Sequence, residues 1–289
     1  MKRSYVALSI VGFSLSLLGS TAMAATDKHE AVSDEVVADQ RAALAASTVG
    51  AGFGPQSPRD IDIAAGNNDR SFGSAPEYTE MNLCNIHFHE NAEHKGGEFT
   101  THAGNGDGHG YGTGFKYDGA LTEAEMAPLD APIGNSEHGD LEPGDTIEVH
   151  FVYTTAQVQP GPTLGSCLNE SIGNPQLRVE TQVIVLVNDE NTLDFMNMAH
   201  VEMVDGYNQA PHIPTDMGTP VQYSGSTTGP SYNEAGSPFQ VTWSVRPQVA
   251  RVNIHSVGTW LADNVFDEDH AHGVRNLVVN QDLLSPISN

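Results

Sequence analysis

The sequence feature that most constrains this chain is a pair of histidines one residue apart, His87 and His89, within residues 84–94. Side chains of a β-strand alternate between its two faces, so in a strand both imidazoles point the same way, and Asn85 points with them. Two imidazoles on one rigid face supply two of the three protein ligands that a catalytic zinc site usually has. The segment therefore predicts a metal centre on a strand, with a third ligand supplied from elsewhere.

The N-terminal segment and the net charge of the chain limit the compartments and the partners that the protein can have. Residues 1–24 combine a basic start, an apolar stretch and a small-residue site, which predicts a cleaved secretory signal. The apolar run is shorter than the ~20 residues that a membrane span needs, and no other stretch is long enough. The chain carries 12 basic and 37 acidic residues, a balance that phosphate backbones repel. We therefore expect an exported protein, periplasmic or extracellular, that binds neither nucleic acid nor, after signal removal, a membrane.

Cys84 and Cys167 are the two cysteines of the chain. In an exported protein, two cysteines most simply form one disulfide. A zinc–thiolate role is the alternative, although neither cysteine has a partner at CxxC spacing. We expect a disulfide between Cys84 and Cys167.

Hydrophobic patterning favours strands over helices along most of the chain. Residues 25–52 are predicted to be a flexible leader, with a short amphipathic helix over 32–46 as the alternative. One helical pattern covers residues 121–126. The predicted strands cover residues 81–90, 146–155, 176–188, 198–204, 239–245, 249–256 and 274–280. The predicted fold class is therefore mainly β, a single domain over residues 53–289 on a large, twisted, mostly antiparallel sheet with the metal on a central strand pair.

His150 is the candidate third ligand. It lies on the predicted strand 146–155, and Glu148 shares its face two residues earlier. A metal-bound imidazole usually donates its free N–H to a carboxylate or carbonyl oxygen. Glu148 is placed to accept from His150, and Asn85 to do the same for His87. The alternative for a single strand histidine beside a glutamate is a surface ion pair.

Four segments in order resemble the motifs of one enzyme family. HFHENAEH at residues 87–94 resembles the HFHxxSEH segment of bacterial alpha-class carbonic anhydrases, and EVHFV at 148–152 resembles their ExHFVH segment. QSPRDI at 56–61 resembles the QSPxxI signature, and YSGSTTGP at 223–230 with VTWSV at 241–245 resembles YxGSLTTPP…VxWxV. Several departures from the alpha class are more similar to the delta class. They are the short spacing between QSPRDI and HFHENAEH, the missing leucine, Gly229 in place of proline, Cys84 before the histidines, and the glycine- and histidine-rich insertion.

The resemblance implies an alpha-carbonic-anhydrase-like fold over residues 53–289 and a zinc enzyme. The implied reaction is the reversible hydration of carbon dioxide to bicarbonate and a proton by zinc-bound hydroxide. His87, His89 and His150 match the zinc ligands, and Glu148 and Asn85 match the groups that hold the ligands in place. Three neutral imidazoles leave the metal its full charge, which favours ionisation of water at neutral pH.

The same resemblance assigns the remaining site residues. Thr227 matches the threonine that accepts a hydrogen bond from the hydroxide, with Ser226 as the alternative, and Glu93 matches the carboxylate that accepts the threonine's proton. Thr228 and Val152 match positions in the substrate pocket. A histidine near its usual pKa of ~6.5 suits the transfer of the released proton. His109 and His102 are the candidates, in and beside the stretch 103–114, which holds six glycines.

Three alternatives remain open from the sequence. His87, His89 and Glu93 also fit the first motif of a cupin-type metalloprotein, in which Glu93 is a metal ligand. A non-enzymatic zinc-binding relative is the second alternative, and metal storage by the acidic, histidine-containing segment 267–272 is the third. The cupin and carbonic anhydrase interpretations separate on Glu93, which binds metal in the first and partners Thr227 in the second.

Overall fold

The structure is a computed structural model that describes residues 30–136, 138–227 and 232–288. The predicted secretory signal and Thr228 lie outside the described residues. The helices and strands in chain order are α1 (Asp34–Thr48), β1 (Asn82–Glu90), β2 (Thr101–His102), β3 (Phe115–Lys116), β4 (Ile133–Ser136), β5 (Gly139–Leu141), β6 (Thr146–Thr154), β7 (Leu177–Val187), α2 (Phe195–Met198), β8 (Glu202–Val204), β9 (Tyr207–Gln209), β10 (Val221–Ser226), β11 (Gln240–Val245), β12 (Ala250–Asn253) and α3 (Ile254–Ala262).

A six-stranded sheet forms the centre of the fold, in the order β1-β6-β7-β11-β10, with β12 also paired to β7. The pairs β1–β6, β6–β7 and β10–β11 are antiparallel, whereas β11 and β12 both run parallel to β7. The predicted mainly β class is confirmed. Three of these five strand pairs are antiparallel, in agreement with the predicted mostly antiparallel sheet. The long connections after β7 let β11 and β12 run parallel to it.

The central strands are buried along their whole length, and their two faces differ. β6 and β7 are rich in β-branched residues, which suit a strand covered on both sides. One face of β1 and β6, including Phe88 and Phe151, packs into the larger hydrophobic core with Trp260 of α3. The opposite face carries the histidines, beside a smaller core that includes Val179 and Trp243. The alternation of side chains thus separates a packed face from a polar one.

Two predicted strands are wrong in part or whole. The segment 249–256 begins as β12 but turns into α3 at Ile254, where Asn253 accepts the main-chain N–H of His255 and starts the helix. The segment 274–280 belongs to no strand. Its main chain bonds to loops instead, since Val274 donates to Gly110 and Val278 donates to Pro58.

Two further predictions are corrected by local structure. Thr122 and Glu125 form the reciprocal hydrogen bonds of a helix start, yet residues 121–126 make only a turn. Pro128 follows and cannot continue a helix. Of the predicted strand 198–204, only Glu202–Val204 is a strand, β8, and it pairs with β9 outside the central sheet. The first residue of the predicted strand, Met198, is the last residue of α2.

Within the predicted leader, residues 34–48 form α1, and α1 lies against the stretch 103–114, here called the glycine-rich loop. Gln40 Nε2 donates to the carbonyl of Gly108 at 3.0 Å. The loop needs glycine where it folds tightly. Gly106 has φ +61°, and an added Cβ would lie 2.1 Å from the carbonyl oxygen of Tyr111.

A carboxyl group before β6 makes stability depend on pH. Burial, with repulsion from Glu142, raises the pKa of Asp145 to about 6, although Asp145 accepts the N–H of Glu142. Because the pKa of Asp145 is higher in the folded state, its stabilising contribution is fully present when the pH is below the unfolded-state pKa of ~3.9. That contribution is lost as the pH rises through the folded-state pKa of about 6.

Replacing Asp145 with asparagine is therefore expected to raise the free energy of unfolding by about 1–3 kcal/mol at pH 8 and by little at pH 4. Urea unfolding at the two pH values measures the change. Asp118→Asn is the control of opposite sign, because hydrogen bonds from Thr101 and Thr100 outweigh its burial and lower the pKa of Asp118. An equal gain at both pH values would contradict the titration of Asp145.

Candidate metal centre

The register of β1 and β6 brings three histidines together. His87 lies directly opposite His150, and His89 lies opposite Glu148. Since partners across an antiparallel pair share a face, His87, His89 and His150 converge on one side of the sheet. Each histidine offers a ligand atom, and these atoms all lie within 4.8 Å of one another. The predicted group of three is thus assembled by two neighbouring strands.

Two of the three rings are held by hydrogen bonds at the nitrogen that faces away from the group. His87 Nδ1 lies 2.6 Å from Asn85 Oδ1, and Asn85 is itself oriented because its Nδ2 donates to the carbonyl of Gly161 at 3.1 Å. His150 Nε2 lies 2.7 Å from Glu148 Oε1. These contacts leave Nε2 of His87 and Nδ1 of His150 free to bind a metal.

The third ring has no such partner. His89 is 6% exposed, and its buried Nδ1 lacks a hydrogen-bond partner within the described residues. Burial, followed by repulsion from His150, lowers the pKa of both His87 and His89 well below the usual value. The imidazoles of His87 and His89 are therefore neutral at neutral pH, and a lone pair on a neutral imidazole is what a divalent metal binds. The donor set fits zinc, which prefers nitrogen ligands of this kind.

Glu148 joins His150 to a deeper network. Its Oε1 accepts from His150 Nε2 and His94 Nδ1, each at 2.7 Å, and its Oε2 accepts the main-chain N–H of His94 at 2.9 Å. His94 Nε2 lies 2.6 Å from the hydroxyl of Tyr223. Burial alone would raise the pKa of Glu148, but the His94 and His150 contacts outweigh it and hold the pKa well below its usual value. Glu148 is thus an ionised, fully bonded anchor for the His150 ring.

Glu93 groups with only one of the three histidines, His150. It is buried and accepts the main-chain N–H of Arg275 at 3.2 Å. Burial raises the pKa of Glu93, with His150 opposing. Its other partners in that group are His94 and Glu148, and Glu148 is already hydrogen-bonded to both His94 and His150. Glu93 does not group with His87 and His89.

Thr227 follows β10, and its main-chain N–H donates to Phe239. No hydrogen bond joins Thr227 to Glu93 in the part of the chain that the structure describes. The alternative residue, Ser226, is fully buried, and its carbonyl accepts from Ser57 Oγ and Trp243 Nε1. Val152 lies on the face of His150, opposite Asn85, and is buried.

The proton-transfer candidates lie in separate places. His102 packs on Phe115 at the end of the glycine-rich loop, and the main-chain N–H of His109 donates to Asp107 within it. Neither ring contacts the three histidines among the contacts of the described residues. A different histidine does: the ring of His272 is centred 5.8 Å from that of His87.

His272 is placed by the main chain. Its N–H donates to Phe88 and its carbonyl accepts from Glu90, so the segment runs along the edge of β1. Glu268 accepts from the His272 ring at 2.5 Å. No local pattern at residues 268–272 indicates this pairing, because the segment is far from β1 in the sequence and belongs to no strand.

Cys84 and Cys167 form the predicted disulfide, with Cα atoms 5.0 Å apart. It ties β1, the strand that carries His87 and His89, to the segment before β7. A disulfide favours an oxidising compartment. Over the residues described, no helix has the length and apolar character that crossing a membrane requires.

Three convergent histidines, two of them with hydrogen-bonded outer nitrogens, form a group on the β-sheet that could hold a metal ion. A family model described as Delta carbonic anhydrase matches residues 78–256 of the chain. That range is more than half of the chain and includes the strands that carry all three histidines. The chain belongs to the delta carbonic anhydrase family and is a carbonic anhydrase, as the sequence motifs predicted. The cupin alternative, with Glu93 as a metal ligand beside His87 and His89, is not better supported, because Glu93 does not group with these two histidines.

Solved structures give weaker likenesses. The alpha-carbonic anhydrase of Photobacterium profundum is 16% identical, with a TM-score of 0.28, over 81% of this chain and 90% of that chain. A hyperthermostable carbonic anhydrase from an active hydrothermal vent chimney is 14% identical, with a TM-score of 0.27, over 78% and 85%. The alpha-carbonic anhydrase of Thermovibrio ammonificans in complex with sulfanilamide is 14% identical, with a TM-score of 0.26, over 78% and 84%. No curated protein matches the chain significantly.

Proposed function

We propose that the chain hydrates carbon dioxide reversibly at a zinc ion held by His87, His89 and His150. The observation that carries the proposal is the buried group of three imidazoles whose ligand atoms lie within 4.8 Å of one another. Zinc held by three histidines supplies a Lewis acid that lowers the pKa of water to about 7, an effect for which carbonic anhydrase is itself the standard case. Asn85 and Glu148 keep the rings of His87 and His150 turned towards the ion.

The substrate pocket in this proposal combines apolar and hydroxyl groups. Val152 supplies an apolar wall for carbon dioxide two residues beyond His150 on the same face. Thr227 orients the attacking oxygen, with Glu93 accepting the threonine's proton, and Thr228 lies near the product. An orienting hydroxyl holds the nucleophile in a near-attack geometry.

The orienting role of Thr227 is tested by removing its hydroxyl. Thr227→Val is expected to lower kcat/KM for carbon dioxide about 100-fold, since misplacing a reacting group costs about that much, while zinc content stays unchanged. Ser226→Ala is the control and should leave kcat/KM within about twofold of the wild type. The reverse pattern, a large loss in Ser226→Ala and none in Thr227→Val, would move the role to Ser226.

Zinc replacement tests the metal assignment. The chain is stripped with a chelator and reloaded separately with zinc, cobalt and cadmium, which a three-histidine site accepts. One equivalent of zinc per chain should restore hydration activity. Full activity in the metal-free chain, or zinc binding without any return of activity, would refute the proposal.

The proposed reaction also needs a residue that transfers the released proton to buffer. His102 and His109 stay the sequence-based candidates for proton transfer, and alanine variants of the true carrier should lose rate in dilute buffer and regain it with added imidazole.

The disulfide supports an exported enzyme in the periplasm or outside the cell, with residues 1–24 removed and carbon dioxide and bicarbonate as its small-molecule partners. A mature N-terminus well away from residue 25 would contradict the signal assignment.

A further inference from the structure

A cavity of about 280 Å³ lies between α1 and the domain on which it packs. α1 contributes Asp34 and Arg41 to its wall, β2 contributes His102, and the segment after His272 contributes Arg275. A water molecule takes up about 30 Å³ of liquid, so the space holds several waters or one small organic molecule. The cavity is lined by none of the three histidines of the metal centre.

Positive charge in this cavity is unusual for so acidic a chain. The chain has only 12 lysines and arginines, and two of the arginines line the cavity. Neither Arg41 nor Arg275 forms an ion pair with any residue that the structure describes. Their hydrogen bonds go to neutral carbonyl groups: Arg41 Nε donates to Leu277 at 3.2 Å, and the terminal nitrogens of Arg275 donate to Ser57 and Tyr232.

Arg275 also has an unused donor. The residue is 2% exposed, and its buried Nε has no hydrogen-bond partner within the described residues. Burial lowers the pKa of Arg275 to about 10, with Glu93 opposing, so the guanidinium stays charged at neutral pH.

The charge balance indicates the class of ligand. Asp34 is the carboxylate in the lining, and its Oδ1 is bonded to Asn105 Nδ2 at 2.8 Å. Burial and the nearby Arg41 lower the pKa of His102, with Asp34 opposing, which keeps that imidazole neutral at neutral pH. Among the lining residues alone, two guanidinium groups and one carboxylate leave a net charge of about +1, which favours a monovalent anion, while Glu93 acts on Arg275 from outside the cavity.

We propose that this cavity binds a small monovalent oxyanion of the carboxylate or bicarbonate type, held by Arg41 and Arg275. The planar guanidinium fork matches the planar oxygens of such an anion. The site is separate from the metal centre but adjoins it, because the main-chain N–H of Arg275 donates to Glu93. Arg275 is therefore unsuitable for mutation, and Arg41 carries the test.

The test measures the unfolding temperature of the full chain as sodium formate or sodium bicarbonate is added, against sodium chloride at equal ionic strength. Metal-free and zinc-loaded protein are compared, since anions also bind metal ions. A ligand of the folded state raises the unfolding temperature in a saturable way. We expect a saturable rise with formate and with bicarbonate in both metal states, and the absence of a rise beyond that with chloride would overturn the proposal. A rise confined to zinc-loaded protein would overturn the proposal.

Three variants separate the cavity from other sites. Arg41→Gln, which keeps a donor for Leu277, should abolish the saturable rise, whereas Arg70→Gln, at an exposed arginine elsewhere, should keep it. Asp34→Asn keeps an acceptor for Asn105 and should tighten formate binding about threefold or more by removing repulsion. Equal responses in wild type and Arg41→Gln, or weaker binding in Asp34→Asn, would overturn the proposal.

Discussion

Replacing His150 with alanine is expected to remove both the bound zinc and the hydration of carbon dioxide. Loss of an outer hydrogen-bond partner of a metal ligand typically costs about 10- to 100-fold in metal affinity or activity. Loss of the ligand itself should therefore exceed about 100-fold in both. Zinc content by elemental analysis and initial hydration rates on the same sample measure the two effects.

His200→Ala is the matched control for His150→Ala. His200 is exposed and lies 3.9 Å from Glu202, away from the three-histidine group. This variant should keep one zinc per chain and the wild-type rate. Circular dichroism should show that His150→Ala is folded. A folded His150→Ala variant with full zinc occupancy would refute His150 as the third ligand.

The second large effect is expected at Glu148, which is not one of the three proposed metal ligands. Glutamine in its place keeps the shape but removes the charge, so it cannot accept all the hydrogen bonds that reach Glu148 from His150 and His94. We expect zinc affinity to fall about 10- to 100-fold. We also expect the free energy of unfolding to fall by about 1–3 kcal/mol, because buried donors lose their acceptor.

Glu180→Gln distinguishes the metal effect from simple destabilisation. Glu180 on β7 is equally buried and bonds Arg178, Arg246 and Ser244. Its replacement should lower stability by a similar or greater amount and leave zinc affinity unchanged. If both variants lost zinc to the same degree at matched stability, Glu148 would have no specific role in holding His150.

The group of three histidines was partly predictable from the sequence because it depends on the alternation of side chains along a strand. Alternation alone placed His87 with His89, and Glu148 with His150. What alternation could not give is the register, which sets His87 opposite His150. The family motifs grouped the three histidines by resemblance but gave no register.

Side chains that reach the centre from distant segments were not predictable. His94 is a case in point: its ring fills a buried position between Glu148 and Tyr223, although the sequence marks it only as the last residue of the HFHENAEH segment, with no role assigned. His272 and Arg275 reach the centre through an irregular segment whose main chain bonds to β1 and to loops. No periodic pattern marks such a segment.

The errors in secondary structure have a common cause. Val252 and Ile254 favour strands by their branched side chains, yet α3 begins at Ile254 because Asn253 caps it and Trp260 packs into the core. The extended segment 274–280 likewise looks like a strand but finds loops as its partners. In each case the tertiary environment outweighs local propensity.

The central claim, that this chain hydrates carbon dioxide at a three-histidine zinc centre, is tested most directly by the initial rate of hydration at graded zinc occupancy. Stopped-flow measurement with a pH indicator follows the rate, and elemental analysis of the same samples gives the occupancy. We expect the rate to rise in proportion to bound zinc up to one equivalent per chain and to vanish in the metal-free protein. A folded, fully zinc-loaded chain with a rate no greater than that of buffer would contradict the claim.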